Sequence, residues 1–161
     1  MSDAVRLREV RVEDLPVLFA QQLEPEATRM AAFPSRDEAA FHAHWAKILG
    51  DSTLTTRAIE ADGRVAGWIG AFDLDGERQV GYWVGKEFWG QGIASRALAL
   101  LLAEEPFRPL HAHVAKHNVG SIRVLEKCGF ELLREARVEE GGEVVEELVL
   151  VCNDWRGDTP S

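Results

Sequence analysis

No part of this 161-residue sequence is apolar for long enough to cross a bilayer: the longest wholly apolar run, Ala97 to Ala103, falls far short of a spanning helix. The opening MSDAVRLREV lacks the hydrophobic region of a signal peptide. The expectation is a soluble, cytoplasmic chain with no membrane partner. Cysteine is scarce. Cys128 and Cys152 form no CxxC pair, which removes the usual spacing for zinc or dithiol chemistry and predicts reduced, partly buried thiols. Basic residues are outnumbered, with 18 Lys and Arg against 27 Asp and Glu. The resulting charge of minus 9 argues against a phosphate-backbone binder, so no nucleic-acid partner is expected. A cationic acceptor is better tolerated, although the same acid also serves simply to keep a surface soluble.

What is present suits one domain with a real core, since 46% of the residues are apolar. Residues 1–152 read as that domain and 153–161 as a frayed tail. Val5 to Arg11 alternates like a half-buried strand, and Val12 to Leu23 has helical spacing. After a loop around Pro25 and Pro34, Ser35 with Glu38 has the form of a capping box for a helix running to Leu49 and Gly50. Leu54–Ala61 and Arg64–Asp73 are strand-like runs joined by Asp62-Gly63, and a third strand, Gln79–Val84, follows Asp75 and Gly76.

The period then changes. Ile93, Ala94, Ala97, Leu98, Leu101 and Leu102 recur along one helical face until Pro106 and Pro109. Leu110–Ala115 is a short strand, Asn118 caps a helix from Val119 to Cys128, and Phe130–Glu139 with Glu143–Cys152 close the chain as a hairpin across Gly141-Gly142. The order βααβββαβαββ predicts an α/β fold with a central mixed sheet flanked by helices. Pairing along an exposed edge of the closing hairpin would allow a homodimer.

The segment FWGQGIASRAL places Gly90 and Gly92 where a helix must start. A strand, a glycine loop and a helix N-terminus make an anion site, because the first helical turn has unpaired N–H groups and the positive end of the dipole. The Walker pattern is absent, since Gly85-Lys86 runs into Glu87. The dinucleotide fingerprint fails as well, because Gly90-Gln91-Gly92 continues as Ile93-Ala94-Ser95 without a third glycine.

GYWVGKEFWGQGIAS, Gly81 to Ser95, resembles the acyl-coenzyme A loop of the GNAT superfamily of N-acetyltransferases, with Gly92 and Ala94 on the last fixed positions of [QR]xxGx[GA]. Trp89 replaces the first of those positions, as in the branch similar to ribosomal-protein alanine acetyltransferases (RimJ/RimL-like). NVGSIRVLEKCGF, Asn118 to Phe130, resembles the NxxSxxVLEKxGF segment of that branch. The specific motifs lie between Gly81 and Phe130, and the first half of the chain follows the family in general layout alone.

The resemblance implies transfer of an acetyl group from acetyl-coenzyme A to a primary amine, a protein N-terminus or a small molecule, directly in a ternary complex and without a metal. It implies that the backbone of Tyr82, Trp83 and Val84 pairs with the pantetheine arm. Gln91, Gly92, Ile93, Ala94 and Ser95 would receive the pyrophosphate, and Asn118 would contact the arm while also capping its helix. The tyrosine that many members carry as the thiolate's general acid is Leu125 here, which has no proton to give. Ser121 is the nearest substitute. The glutamate common before the GYW segment is Gln79, so Asp73, Glu77, His113 or a water chain remain as bases. These two replacements motivate a different reading, a catalytically weak acyl-coenzyme A-binding sensor or scaffold. Acceptor choice would fall to the two early helices, the loop Met30 to Ser35 and the final hairpin. His111, His113 and His117 lack a carboxylate or cysteine completing a ligand set, so no metal is expected.

Overall fold

A computed structural model describes residues 4–31, 36–74, 76–140 and 142–153. The elements in chain order are β1 (Val5–Glu9), a 3-10 turn (Val12–Asp14), α1 (Leu15–Gln22), α2 (Pro25–Ala31), α3 (Glu38–Leu49), β2 (Thr55–Ala61), β3 (Arg64–Leu74), β4 (Glu77–Val84), a second 3-10 turn (Lys86–Phe88), α4 (Ile93–Glu104), β5 (Leu110–Ala115), α5 (Val119–Lys127), β6 (Glu131–Glu140) and β7 (Glu143–Cys152). The strands form a seven-stranded sheet in the order β1-β2-β3-β4-β5-β7-β6. The β4–β5 pair is parallel, and the other pairs are antiparallel. The mixed α/β architecture is the expected one.

Both sheet faces are covered. The helical stripe Ile93, Ala97, Leu98, Leu101 and Leu102 of α4 packs with Ile59, Ile69, Val80 and Leu110 of the sheet, and Leu125 of α5 joins them. On the other face Leu15 and Leu18 of α1 meet Phe41 and Trp45 of α3 over Trp68 of β3. Trp45 and Trp68 stand edge to face with centroids 5.8 Å apart. Each fully buried aliphatic side chain contributes roughly 1.5–3 kcal/mol, so these two clusters set the sheet's position between its helices.

Three local expectations need correction. The first strand ends at Glu9 rather than Arg11, because Asp14 takes the Arg11 N–H at 2.7 Å and both ends of the Arg8 guanidinium at 2.8 and 2.9 Å, turning the chain out of the sheet. The stretch from Pro25, expected as loop, is helix α2: proline suits the first helical position, and Glu24 Oε1 caps the Ala27 N–H at 2.9 Å. Helix α3 is capped by Asp37, whose carboxylate accepts from the Ala40 N–H at 2.8 Å. Ser35, the expected cap, lies outside the described residues, as do Pro34, Asp75, Gly141 and the tail from Asp154 onward.

The relationship that positions a site is between β4 and β5. They pair only at Arg78 with Leu110 and Gln79 with His111. Beyond those residues β4 stays with β3 as far as Val84, and β5 stays with β7 as far as Ala115, so the two central strands part. Gly67 permits the β4 side of this parting. A Cβ built there would lie 1.9 Å from the Trp83 carbonyl oxygen, so the end of β4 leans onto β3 where no side chain fits.

Candidate functional site

Against the part of β4 that no longer pairs with β5 lies a cavity of about 440 Å³. Tyr82, Trp83 and Val84 of β4 form one wall. Gly92, Ile93, Ala94 and Ser95 at the start of α4 form a second, and Asn118, Ser121 and Val124 of α5 a third. The fourth is α2, through Ala27, Met30 and Ala31. This helix bridges the two strand ends. Lys86, just after β4, meets Glu26 at 2.8 Å, and His117, just after β5, places Nε2 2.9 Å from the Arg29 carbonyl. Because that carbonyl can only accept, the ring proton sits on Nε2.

The loop into α4 is held open by backbone geometry. Gly90 and Gly92 have φ of 79° and 73°, a region where side chains are strained, and Gly92 is the residue that starts the helix. No side chain caps α4, so its first N–H groups remain for a ligand. The Arg96 guanidinium donates to the Gln91 carbonyl at 2.6 Å and lies beside Gly92, adding positive charge to the same helix start. Arg96 was not singled out from sequence, although its place one turn after Gly92 is a usable signal. Trp89 lines the cavity and donates its indole N–H to the Val84 carbonyl at 2.9 Å. Gln91, in contrast, is outside the cavity wall, with its side-chain amide donating to the Glu87 carbonyl at 3.4 Å.

At α5, Asn118 Oδ1 accepts from the Ser121 N–H at 3.2 Å, which leaves its amide NH₂ as the donor available to the cavity. Ser121 Oγ is 2.6 Å from the Tyr82 hydroxyl. Burial pushes the phenol up to about 12, with a smaller opposing contribution from the Ser121 hydrogen bond. Leu125 is buried in the core and lines no part of the cavity. Cys128 lies alongside, its thiol donating to the Ser95 carbonyl at 3.6 Å, and burial pushes that thiol up. Neither cysteine is in a disulfide.

The sequence-derived base candidates are elsewhere. Asp73, Glu77 and His113 are all outside the cavity wall. Asp73 ion-pairs with Arg78 at 3.5 Å. Glu77 contacts His113 at 3.4 Å, His111 at 3.7 Å and Arg134 at 3.4 Å. Desolvation raises the Glu77 carboxyl, but the His113 hydrogen bond and the charges of His111, His113 and Arg134 outweigh it and hold it below the usual range. Gln79 is buried, with its amide directed at the Leu74 carbonyl and Glu77. Among the described residues no group of three His, Cys, Asp or Glu could hold a metal ion.

Comparisons with known proteins agree with this fold. The uncharacterized N-acetyltransferase p20 of Bacillus licheniformis is 24% identical over 156 residues, covering 87% of this chain and 88% of its own length. A crystal structure of a GNAT-family acetyltransferase from Bacillus anthracis superposes with a TM-score of 0.82 at 16% identity, covering 95% and 96% of the two chains. A RimL ribosomal-protein alpha-N-acetyltransferase in complex with coenzyme A superposes with a TM-score of 0.78 at 19% identity, covering 92% and 93%. The family model described as an acetyltransferase (GNAT) domain matches residues 4–131. The chain therefore belongs to the GNAT acetyltransferases.

Proposed function

We propose that this acetyltransferase moves an acetyl group from acetyl-coenzyme A to a primary amine in a ternary complex, within a single domain spanning residues 1–152. The observation that carries the reading is the uncapped, glycine-started N-terminus of α4 opening into the cavity between the end of β4 and α5. An anion site joined to a narrow cleft suits a pyrophosphate followed by a long amide-bearing arm. In this reading the N–H groups from Gly92 to Ser95 and the Arg96 charge hold the pyrophosphate. The edge of β4 from Tyr82 to Val84, which β5 has left, pairs with the arm's amides, and the Asn118 amide adds a donor.

Acetyl-coenzyme A supplies the thioester. The amine nitrogen forms a bond to its carbonyl carbon, the C–S bond breaks with its electron pair going to sulfur, and the proton lost by nitrogen balances the one sulfur takes up. Ser121 is the hydroxyl offered to the leaving sulfur. Glu77 is five residues from Tyr82 along β4, about 16 Å at strand rise, too far for direct proton abstraction. Amine deprotonation is accordingly assigned to water. The acceptor enters beside Ala27, Met30 and Ala31, a wall without charge, which favours an amine flanked by apolar groups over a polycation.

The test is a thiol-release screen with acetyl-coenzyme A over amino acids, polyamines, aminoglycosides and N-terminal peptides, run beside calorimetry. Saturable binding with release for at least one amine is expected. Absence of binding would sink the reading, and tight binding without release for any amine would replace it with a cofactor sensor or scaffold.

A further inference from the structure

The contact between Tyr82 and Ser121 has a direction. The Tyr82 hydroxyl oxygen lies 2.6 Å from Ser121 Oγ and 3.4 Å from the Ser121 carbonyl oxygen. The carbonyl can only accept, so a phenol hydrogen placed between the two oxygens satisfies both contacts. Of the two hydroxyls the phenol is the more acidic and the better donor. Its burial keeps it protonated through neutral pH, so it has a hydrogen to place. Among the described residues Ser121 Oγ has no other hydrogen-bond partner, and Ser121 lines the cavity.

We propose that Tyr82 is a positioning residue: its phenol donates to Ser121 Oγ, fixes that hydroxyl, and leaves the Ser121 hydrogen free to point into the cavity at the leaving sulfur. This rests on the acetyl-transfer reading above. It also changes what Ser121 does. An aliphatic hydroxyl gives up its proton far less readily than a thiol, whose ordinary pKa is about 8.5, so Ser121 keeps its hydrogen and donates a bond to the thiolate. The thiolate then takes its proton from solvent, balancing the one lost by the amine. A chain of two hydroxyls, phenol to serine to sulfur, polarises each donor further than either would be alone. The phenol thus reaches α5 from the neighbouring strand, at the helix that carries Leu125 in place of a proton-bearing residue.

Tyr82 is the only tyrosine in the sequence, which makes the test direct. The Raman doublet of the tyrosine ring distinguishes a phenol that donates from one that accepts. Wild-type protein is expected to show a donor, and the Ser121→Ala variant a changed signature. In kinetics with acetyl-coenzyme A and a competent amine, Ser121→Ala should lower kcat about tenfold, the scale of one hydrogen bond to a charged group. Tyr82→Phe should lower kcat about fivefold with cofactor Kd and acceptor KM unchanged, and should cost nothing further in the Ser121→Ala background. An accepting phenol, or losses that multiply in the double variant, would overturn the proposal. A wild-type protein that releases no thiol with any amine refutes the acetyl-transfer reading instead, and the Raman signature still reports the direction of the bond.

Discussion

Trp89 and Val84 are joined beside the cavity: the indole N–H donates to the strand carbonyl at 2.9 Å, tying the glycine loop to the last residue of β4. The bond relates the two parts of the proposed cofactor site, the anion-binding helix start and the free strand edge. It also gives a physical reason for tryptophan at the position where the general family pattern has Gln or Arg. Trp89→Phe keeps an aromatic wall and removes the tether. Acetyl-coenzyme A affinity is expected to fall about fivefold, the value of roughly 1 kcal/mol for one hydrogen bond, with the folded state retained. Titration calorimetry beside circular dichroism measures both.

Gly92→Val places a β-branched side chain at φ of 73°, in the left-handed region that costs such residues roughly 1–2 kcal/mol. The same change puts a side chain on the backbone that the anion must approach. Cofactor binding should weaken at least tenfold, about 1.4 kcal/mol. A folded variant with unaltered affinity would show that the loop is only a turn.

Gly67→Ala should be among the most damaging single-methyl changes in the chain. The added Cβ meets the Trp83 carbonyl oxygen at 1.9 Å, a backbone atom that cannot swing away. Overpacking of this kind costs about 1–3 kcal/mol and would shift the end of β4 within the cavity. Gly81→Ala, one strand over, meets Phe72 Cε1 at 3.4 Å and should be much milder. Urea denaturation of the two variants side by side decides the matter.

Asp14 should set part of the acid limit of stability. The Arg8 hydrogen bonds hold its carboxyl below the ordinary 3.8, against the opposing effect of burial. A carboxyl depressed on folding contributes stability that is present above its unfolded pKa and lost as pH falls through the folded value. Urea midpoints should therefore decline below about pH 4 in the wild type, from this and other carboxylates. The decline should be shallower in Asp14→Asn, which should also be destabilised near neutrality, because the half-buried Arg8 guanidinium keeps Glu60 but loses its charged partner at Asp14.

Ala27→Leu tests the acceptor wall. Ala27 is buried in α2 and faces the cavity, so a larger side chain narrows the proposed acceptor end while leaving the α4 start untouched. The expected outcome is a raised KM for the amine at nearly constant acetyl-coenzyme A affinity. An unchanged acceptor KM would remove α2 from substrate selection.

Much of this molecule was legible without coordinates, for reasons that are local. The period of Ile93, Ala97, Leu98, Leu101 and Leu102 determined a helix and its buried face, because apolar spacing of 3.6 leaves one stripe to cover. Gly90 and Gly92 marked the place where that helix starts, and Asn118 was recognisable as the cap it is. Other features depended on partners distant in the chain. That Glu77 and His113 lie outside the cavity follows from where β4 and β5 stop pairing, which no strand pattern reveals. Helix α2 was hidden by its two turns of length and its opening proline, and its place as a cavity wall came from contacts with Lys86 and His117. The sequence by itself determined most of the elements, the family and the glycine-started helix α4, since each depends on neighbours a few residues away. Only the tertiary structure decided which groups meet: the Tyr82 phenol on Ser121 is a contact across 39 residues, set by how far two strands part and by the helix that fills the gap.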